Sequence, residues 1–216
     1  AGSHYICVID AGSTGSRAHV FKFETVPGWK SSSTEEPRFR TLGSKRIEPG
    51  LHSFAGNNDG LEKHIGEVIE FLETTVPQSH LAKTPVFVWA TAGMRLLGEE
   101  EVETILKICR SSLEKSPLLF DRSFVRVITG GEEALLTWIA INFLNGNWPL
   151  IKTKSVEEES TCNVGSEVQS CEFESSTEGN LARIKRVGII EMGGASMQVA
   201  LPMPKNLANE QDDDVK

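Results

Sequence analysis

The sequence predicts an α/β protein: a mixed sheet with element order β-β-β-α-β-α-β-α, followed by a separate strand, turn, strand unit. Three observations predict it. Short runs rich in Ile and Val alternate with longer segments whose apolar residues recur at helical spacing. A Gly, Ser and Thr loop follows an acidic residue at the end of the first run. The same arrangement returns near the other end of the chain.

Residues His4 to Asp10 are a short apolar strand, and Ala18 to Phe23 alternate apolar with polar as a second. After a turn-rich stretch from Pro27 to Pro37, Phe39 to Ile47 supplies a third, which makes the opening an antiparallel meander. From Asp59 to Thr75, Leu61, Ile65, Val68, Ile69 and Leu72 fall on one helical face, with Asp59 placed to cap the N-terminus. Pro85 to Thr91 is a near-continuous apolar run, the pattern of a strand covered on both faces. Glu99 to Leu113 is helical, with Val102, Ile105, Leu106, Cys109 and Leu113 aligned. Phe124 to Ile128 forms a further strand, and Glu132 to Leu144 a helix so apolar that it must be well covered. Val187 to Glu191 and Met197 to Leu201 make the second strand, turn, strand unit. The expected organisation is a lobe over 1–150, a polar connector over 151–186, a hairpin over 187–201 and a polar tail over 202–216.

The chain has 216 residues, with 22 Lys and Arg against 30 Asp and Glu, a net charge of −8. That balance excludes a broad electrostatic footprint for nucleic acid. No apolar run approaches about 18 residues, so no membrane segment is expected. The opening AGSHYICVID has no basic region ahead of a long apolar one and does not read as a signal peptide. Of the four cysteines, Cys7 and Cys109 sit in apolar patterns as buried thiols. Cys162 and Cys171 lie close together in a polar stretch and could bridge in an oxidising compartment, which points to a secretory lumen.

An acidic protein that handles phosphates must do so locally, and four polar stations at strand ends suit that task. The first is DAGSTGSR, where Asp10 offers a carboxylate to a metal's water shell and Gly12, Ser13, Thr14, Gly15, Ser16 and Arg17 form a loop whose backbone amides can approach phosphate oxygens. Its plain alternative is a tight hairpin with a polar loop. The echo at IIEMGGASMQV places Glu191 before Gly193, Gly194 and Ala195. Two such hairpins face to face would clamp a phosphate chain and share a divalent cation. ATAGMR, ending the apolar strand, and TGGEEA, at a strand-to-helix junction, are the other stations.

In this order and spacing, the four stations resemble four of the five signature regions of the apyrases, the nucleoside triphosphate diphosphohydrolase family of the actin-like, ribonuclease-H-like superfamily. The resemblance runs from about Tyr5 to Leu201. GSTGSR is similar to the intracellular, Golgi-type and soluble nucleoside diphosphatase branches, and EMGGASMQVALPMPK to the Golgi and lysosomal membrane apyrases. The resemblance implies an actin-like ATPase lobe plus the opening hairpin of a second lobe, a Golgi lumenal location, and hydrolysis of nucleoside di- or triphosphates with Ca²⁺ or Mg²⁺. It implies Glu133 as general base on the attacking water, Ser196 and Gln198 as groups positioning that water, and Thr91 in the same cluster. Asp10 and Glu191 would hold the cation through waters, while Gly12 to Arg17 and Gly193 to Ala195 cradle the phosphates.

Two positions depart from the family pattern. Ala134 follows the expected base where Gly is usual, and Glu191 stands where Asp is usual, which moves the carboxylate by about 1.5 Å. The resemblance also implies that most of the second lobe, with the fifth signature region and the base-binding wall, is not in this chain. Two rivals stand beside the apyrase reading. GGEEA and GGAS also resemble exopolyphosphatases and guanosine pentaphosphate phosphohydrolases, and the missing lobe together with Glu191 would suit a nucleotide-binding module without turnover.

Overall fold

A computed structural model describes residues 2–25, 38–145 and 187–202. The turn-rich stretch 27–37, the connector with Cys162 and Cys171, and the tail beyond Pro202 lie outside the described residues.

Alternation in the first two strands produces a long antiparallel ribbon. β1 (Gly2–Ala11) and β2 (Ser16–Thr25) pair from Gly2 with Thr25 to Ala11 with Ser16, leaving residues 12–15 as the loop between them. β3 (Arg38–Ile47) adds antiparallel to β2, with a bulge between Val20 and Phe21. β4 (Val86–Ala90) joins the other edge of β1 in parallel, and β5 (Val125–Val127) joins β4 in parallel, so the sheet runs β3-β2-β1-β4-β5. The predicted meander and the mixed sheet are both present.

Two helices cover one face. Cys7, Ile9 and Ala11 of β1, Ala18 and Val20 of β2, and Val86, Val88 and Ala90 of β4 are buried. They meet Leu61, Ile65, Val68 and Leu72 of α1 (Asn58–Thr75) and Ile105, Leu106, Cys109 and Leu113 of α3 (Glu99–Glu114). The intervening residues of β1 and β4, Val8, Asp10, Phe87 and Trp89, point to the opposite face and are half-buried. β4 is therefore fully covered on one face only, which corrects the expectation from its continuous apolar run. Cys7 and Cys109 are buried free thiols, and burial pushes both up to about 12.

The cap of helix α1 lies two residues earlier than expected. Asn57 is the cap, its side chain accepting from the Gly60 N–H at 3.0 Å, and Asp59 lies within the first turn. Asn and Asp both cap well. Ala92–Arg95 forms a one-turn helix, α2, directly after β4.

His64 sits on the buried face of α1, where burial lowers its pKa below the ordinary value of 6.5 and the neighbouring Glu67 carboxylate partly opposes the shift. The unfolded chain therefore takes up this proton at higher pH than the folded one. The resulting stability is complete above pH 6.5 and declines as pH falls toward the lowered folded-state value. Urea midpoints compared at pH 7.5 and about 5.5 are expected to drop more in the wild type than in His64→Leu. An equal drop in both would remove His64 from the acid response.

Helix α4 (Gly130–Leu144) departs from expectation. Only Ala134 and Asn142 of it are buried among the described residues, while Leu135, Ile141, Phe143 and Leu144 are exposed. A helix apolar all round needs partners on every side, and α4 packs chiefly on the hairpin of β6 (Ile189–Met192) and β7 (Met197–Ala200). That hairpin is antiparallel as predicted, with Glu191 opposite Gln198. Among the described residues, no helix is long and apolar enough to cross a membrane.

Candidate active site

The free face of the sheet and α4 enclose a cleft of about 270 Å³, whose lining includes Asp10, Trp89, Thr91, Glu133, Thr137 and Glu191. Each arrives there for a local reason. Asp10 is the penultimate residue of β1, on the half-buried side of the strand. Thr91 follows β4, its N–H donating to the Ala11 carbonyl at 3.2 Å, so β1 and β4 end side by side. Glu133 lies in the first turn of α4, which a reciprocal cap starts: the Thr129 hydroxyl accepts from the Glu132 N–H at 3.1 Å, and the Glu132 carboxylate accepts from the Thr129 N–H at 2.8 Å. Glu132 is thus committed to the cap, its carboxyl held low first by that backbone bond and then by Arg126. Glu133, one residue on, faces the cleft.

Glu133 is held from both sides. Arg95 Nη2 donates to its Oε2 at 2.9 Å, and Gln198 Nε2 donates to the same oxygen at 3.1 Å. Gln198 also reaches the Ser196 hydroxyl at 2.7 Å, while its buried Oε1 makes no hydrogen bond among the described residues. Arg95 in turn donates through Nη1 to the Ile128 carbonyl at 2.8 Å, which ties α2 to the strand end before α4. Across the cleft, Thr137, one turn beyond Glu133, donates to Glu191 Oε2 at 2.7 Å. The longer carboxylate at 191 thus reaches helix α4. Arg17 lies 3.4 Å from Asp10, and both side chains are substantially exposed.

The hairpin is fastened to α4 by Asn142, which is wholly buried and satisfies both backbone groups of Val187: Nδ2 donates to the carbonyl at 3.1 Å and Oδ1 accepts from the N–H at 3.0 Å. Trp138 Nε1 donates to the same carbonyl at 2.8 Å. This anchor brings the two glycine loops together. A Cβ added to Gly194 would lie 2.6 Å from Ser13 Oγ and 2.7 Å from Thr14 Cγ2, so the second loop meets the side chains of the first in direct contact.

Two residues of the expected cradle have other commitments. Ser16 is fully buried and its hydroxyl pairs with His64 Nε2 at 3.0 Å, so its side chain is turned into the core and away from any ligand. Its place in phase with Ala18 and Val20 on β2 carried that signal. The Gly193 N–H closes its own turn by donating to the Ser196 carbonyl at 2.8 Å. Gly12 and Ser13 are half-buried, Gly15 is buried, and Thr14, Arg17, Gly194 and Ala195 are exposed. Arg95, Thr137, Trp89 and Asn142 are site residues that sequence reasoning missed. Arg95 stood inside the ATAGMR station and Trp89 immediately before it, whereas Thr137 and Asn142 became visible only through the packing of α4.

The profile of the GDA1/CD39 (nucleoside phosphatase) family matches residues 1–216. The chain belongs to this family. Among its curated relatives, a guanosine-diphosphatase of Schizosaccharomyces pombe is 38% identical over 143 residues, covering 66% of this chain and 24% of that protein. The nucleoside-diphosphatase mig-23 of Caenorhabditis briggsae is 31% identical over 204 residues, covering 94% of this chain and 34% of that protein. The chain thus spans a quarter to a third of the length of these GDA1/CD39 relatives. Among solved structures, nucleoside triphosphate hydrolases from Neospora caninum superimpose with a TM-score of 0.58 at 21% identity, over 94% of this chain and 40% of that one, which establishes the likeness of fold. GDA1/CD39 membership makes this chain part of an enzymatic family of phosphohydrolases.

Proposed function

We propose that the cleft hydrolyses the terminal phosphoanhydride of a nucleoside di- or triphosphate, and that the sheet is the first lobe of an actin-like fold. One observation carries the reading: Asp10, Thr91, Glu133 and Glu191, drawn from four separate stretches of sequence, line a single cleft, and Asp10 and Glu191 each lead into one of the two glycine loops that touch at Gly194. The names of the relatives, both diphosphatases, support a nucleoside diphosphate as substrate.

In this reading Glu133 accepts the proton of an attacking water. Arg95 and Gln198 both bind Oε2 and orient the carboxylate. Gln198 Oε1 and the Ser196 hydroxyl supply the hydrogen bonds that aim the water, and Thr91 lines the same wall. Backbone groups of the loop from Gly12, with Gly194 and Ala195 opposite, receive the phosphates, and Arg17 adds positive charge at the rim.

The donor set also suits Ca²⁺ or Mg²⁺, since Asp10, Glu191 and the two threonine hydroxyls present only hard oxygens. No group of three His, Cys, Asp or Glu forms a dedicated cage among the described residues. Two carboxylates acting through waters, completed by substrate oxygens, are enough for such an ion. When bound, it would neutralise charge developing on the phosphoryl oxygens.

Phosphate release from GDP, UDP, ADP and the matching triphosphates, with Ca²⁺, Mg²⁺ or chelator, tests this. Release that requires the cation is the expected outcome. Metal-dependent nucleotide binding with no turnover would instead make the chain a binding module, and release from polyphosphate alone would move it to the polyphosphatases.

A further inference from the structure

The first glycine loop is closed at its base by a buried polar pair far apart in sequence. Ser16 opens β2 immediately after the loop and stands opposite Ala11, the last residue of β1. Its hydroxyl, wholly buried, meets Nε2 of His64 on α1 at 3.0 Å, and the imidazole is 5% exposed with the Phe54 ring 5.0 Å away. An apolar pair would fill this space without needing a partner, whereas a buried hydroxyl and imidazole are costly unless each satisfies the other. They therefore admit one arrangement of α1 against the loop stem.

We propose that His64 is a positioning residue: by holding Ser16, it fixes the depth of the first glycine loop and so the placement of Ser13 and Thr14 against Gly194. The consequence for ligand affinity rests on the reading of that loop as a phosphate site. His64 is buried on α1 and acts through Ser16. The neutral imidazole and the hydroxyl share one hydrogen bond whichever ring nitrogen carries the proton. Burial favours that neutral form. Glu67, the charged group felt by the ring, is drawn outward by Lys45 of β3 at 3.4 Å.

The test uses the whole chain with His64→Leu, Ser16→Ala and His64→Gln, whose terminal amide can occupy the place of Nε2. Two quantities are read: amide hydrogen exchange of the peptide covering residues 10–17, and the affinity for GDP with Mg²⁺. His64→Leu and Ser16→Ala are expected to speed exchange in that peptide about five- to tenfold and to weaken GDP by a similar factor, as loss of one buried hydrogen bond implies. His64→Gln is expected to restore both, and exchange in α3 is expected to stay unchanged. Unaltered exchange in the loop, or the same acceleration in α3, overturns the proposal. Unaltered GDP affinity in a variant whose loop has loosened overturns its functional half. If the wild type binds no GDP yet its loop exchange responds to the variants, the phosphate reading fails and the pin stands. Should His64→Leu not fold, the smaller change Ser16→Ala decides by the same readings.

Discussion

Replacing Glu133 with Gln is expected to slow phosphate release by about 10²-fold or more, the typical contribution of a positioned general base. The substitution keeps the shape of the side chain and an oxygen for Arg95 and Gln198 to reach, but removes the group that takes the proton. Nucleotide affinity should change far less than turnover, because the residue acts on the attacking water and not on the phosphate cradle. Arg95 loses a charged partner, and since both side chains are largely covered, at 27% and 12% exposed, a modest fall in stability accompanies the loss. Circular dichroism and a urea midpoint separate that fall from the kinetic effect. Undiminished release from a folded variant would show that another group is the base.

The second large effect is expected at a glycine outside every recognised motif. Gly50 has ordinary extended backbone angles, φ −66° and ψ 156°, so it is not needed for its dihedrals. Its necessity is spatial: an added Cβ would stand 2.6 Å from the Gly12 carbonyl oxygen and 2.7 Å from that of Ser13. Both atoms are backbone, and neither can swing aside as a flexible side chain would. Gly50→Ala is therefore expected to displace the first loop by about an ångström, a misplacement that can reduce turnover by about 10²-fold, and to lower stability by about 1–3 kcal/mol through overpacking. Gly66→Ala is the control. It lies in the interior of α1 with nothing within 4 Å of the added atom and should stabilise by about 0.5–1 kcal/mol. If Gly50→Ala behaves like Gly66→Ala in urea and in GDP binding, the close packing beneath the loop is wrong.

The strands and long helices were legible in sequence because burial leaves a period. Val20 and Ala18 alternate with Arg17 and His19, and Leu61, Ile65, Val68 and Leu72 return every turn. The carboxylates of the cleft were legible because each sits at the end of such an element, where chemistry and pattern meet. The cap at Asn57 was not, since three good capping residues, Asn57, Asn58 and Asp59, stand in a row and local pattern does not choose among them. The exposed flank of α4 was not, because hydrophobicity reports a demand for cover and says nothing about what supplies it. The Arg95 grip on Glu133 and the Asn142 clasp on Val187 join residues distant in the chain, and no local pattern encodes such a pairing. At Ser16 the motif suggested a backbone contact and said nothing of the side chain, which its phase on β2 already marked as inward.

The place of β1 between an antiparallel and a parallel neighbour has a consequence for the order of assembly. Its ribbon with β2 needs only the four residues 12–15 to turn back, a closure on the microsecond scale. Its other edge, where Cys7 lies beside Val86, must wait until the whole of α1 has been threaded past. Non-local pairing of this kind carries its entropic cost before any reward. During synthesis the nascent ribbon therefore shows a bare, hydrophobic hydrogen-bonding edge, open to any passing strand. Truncations at Val20 should slow folding, and those at Val88 or Val125 should mainly hasten unfolding; the reverse ranking would mean that the parallel half nucleates first.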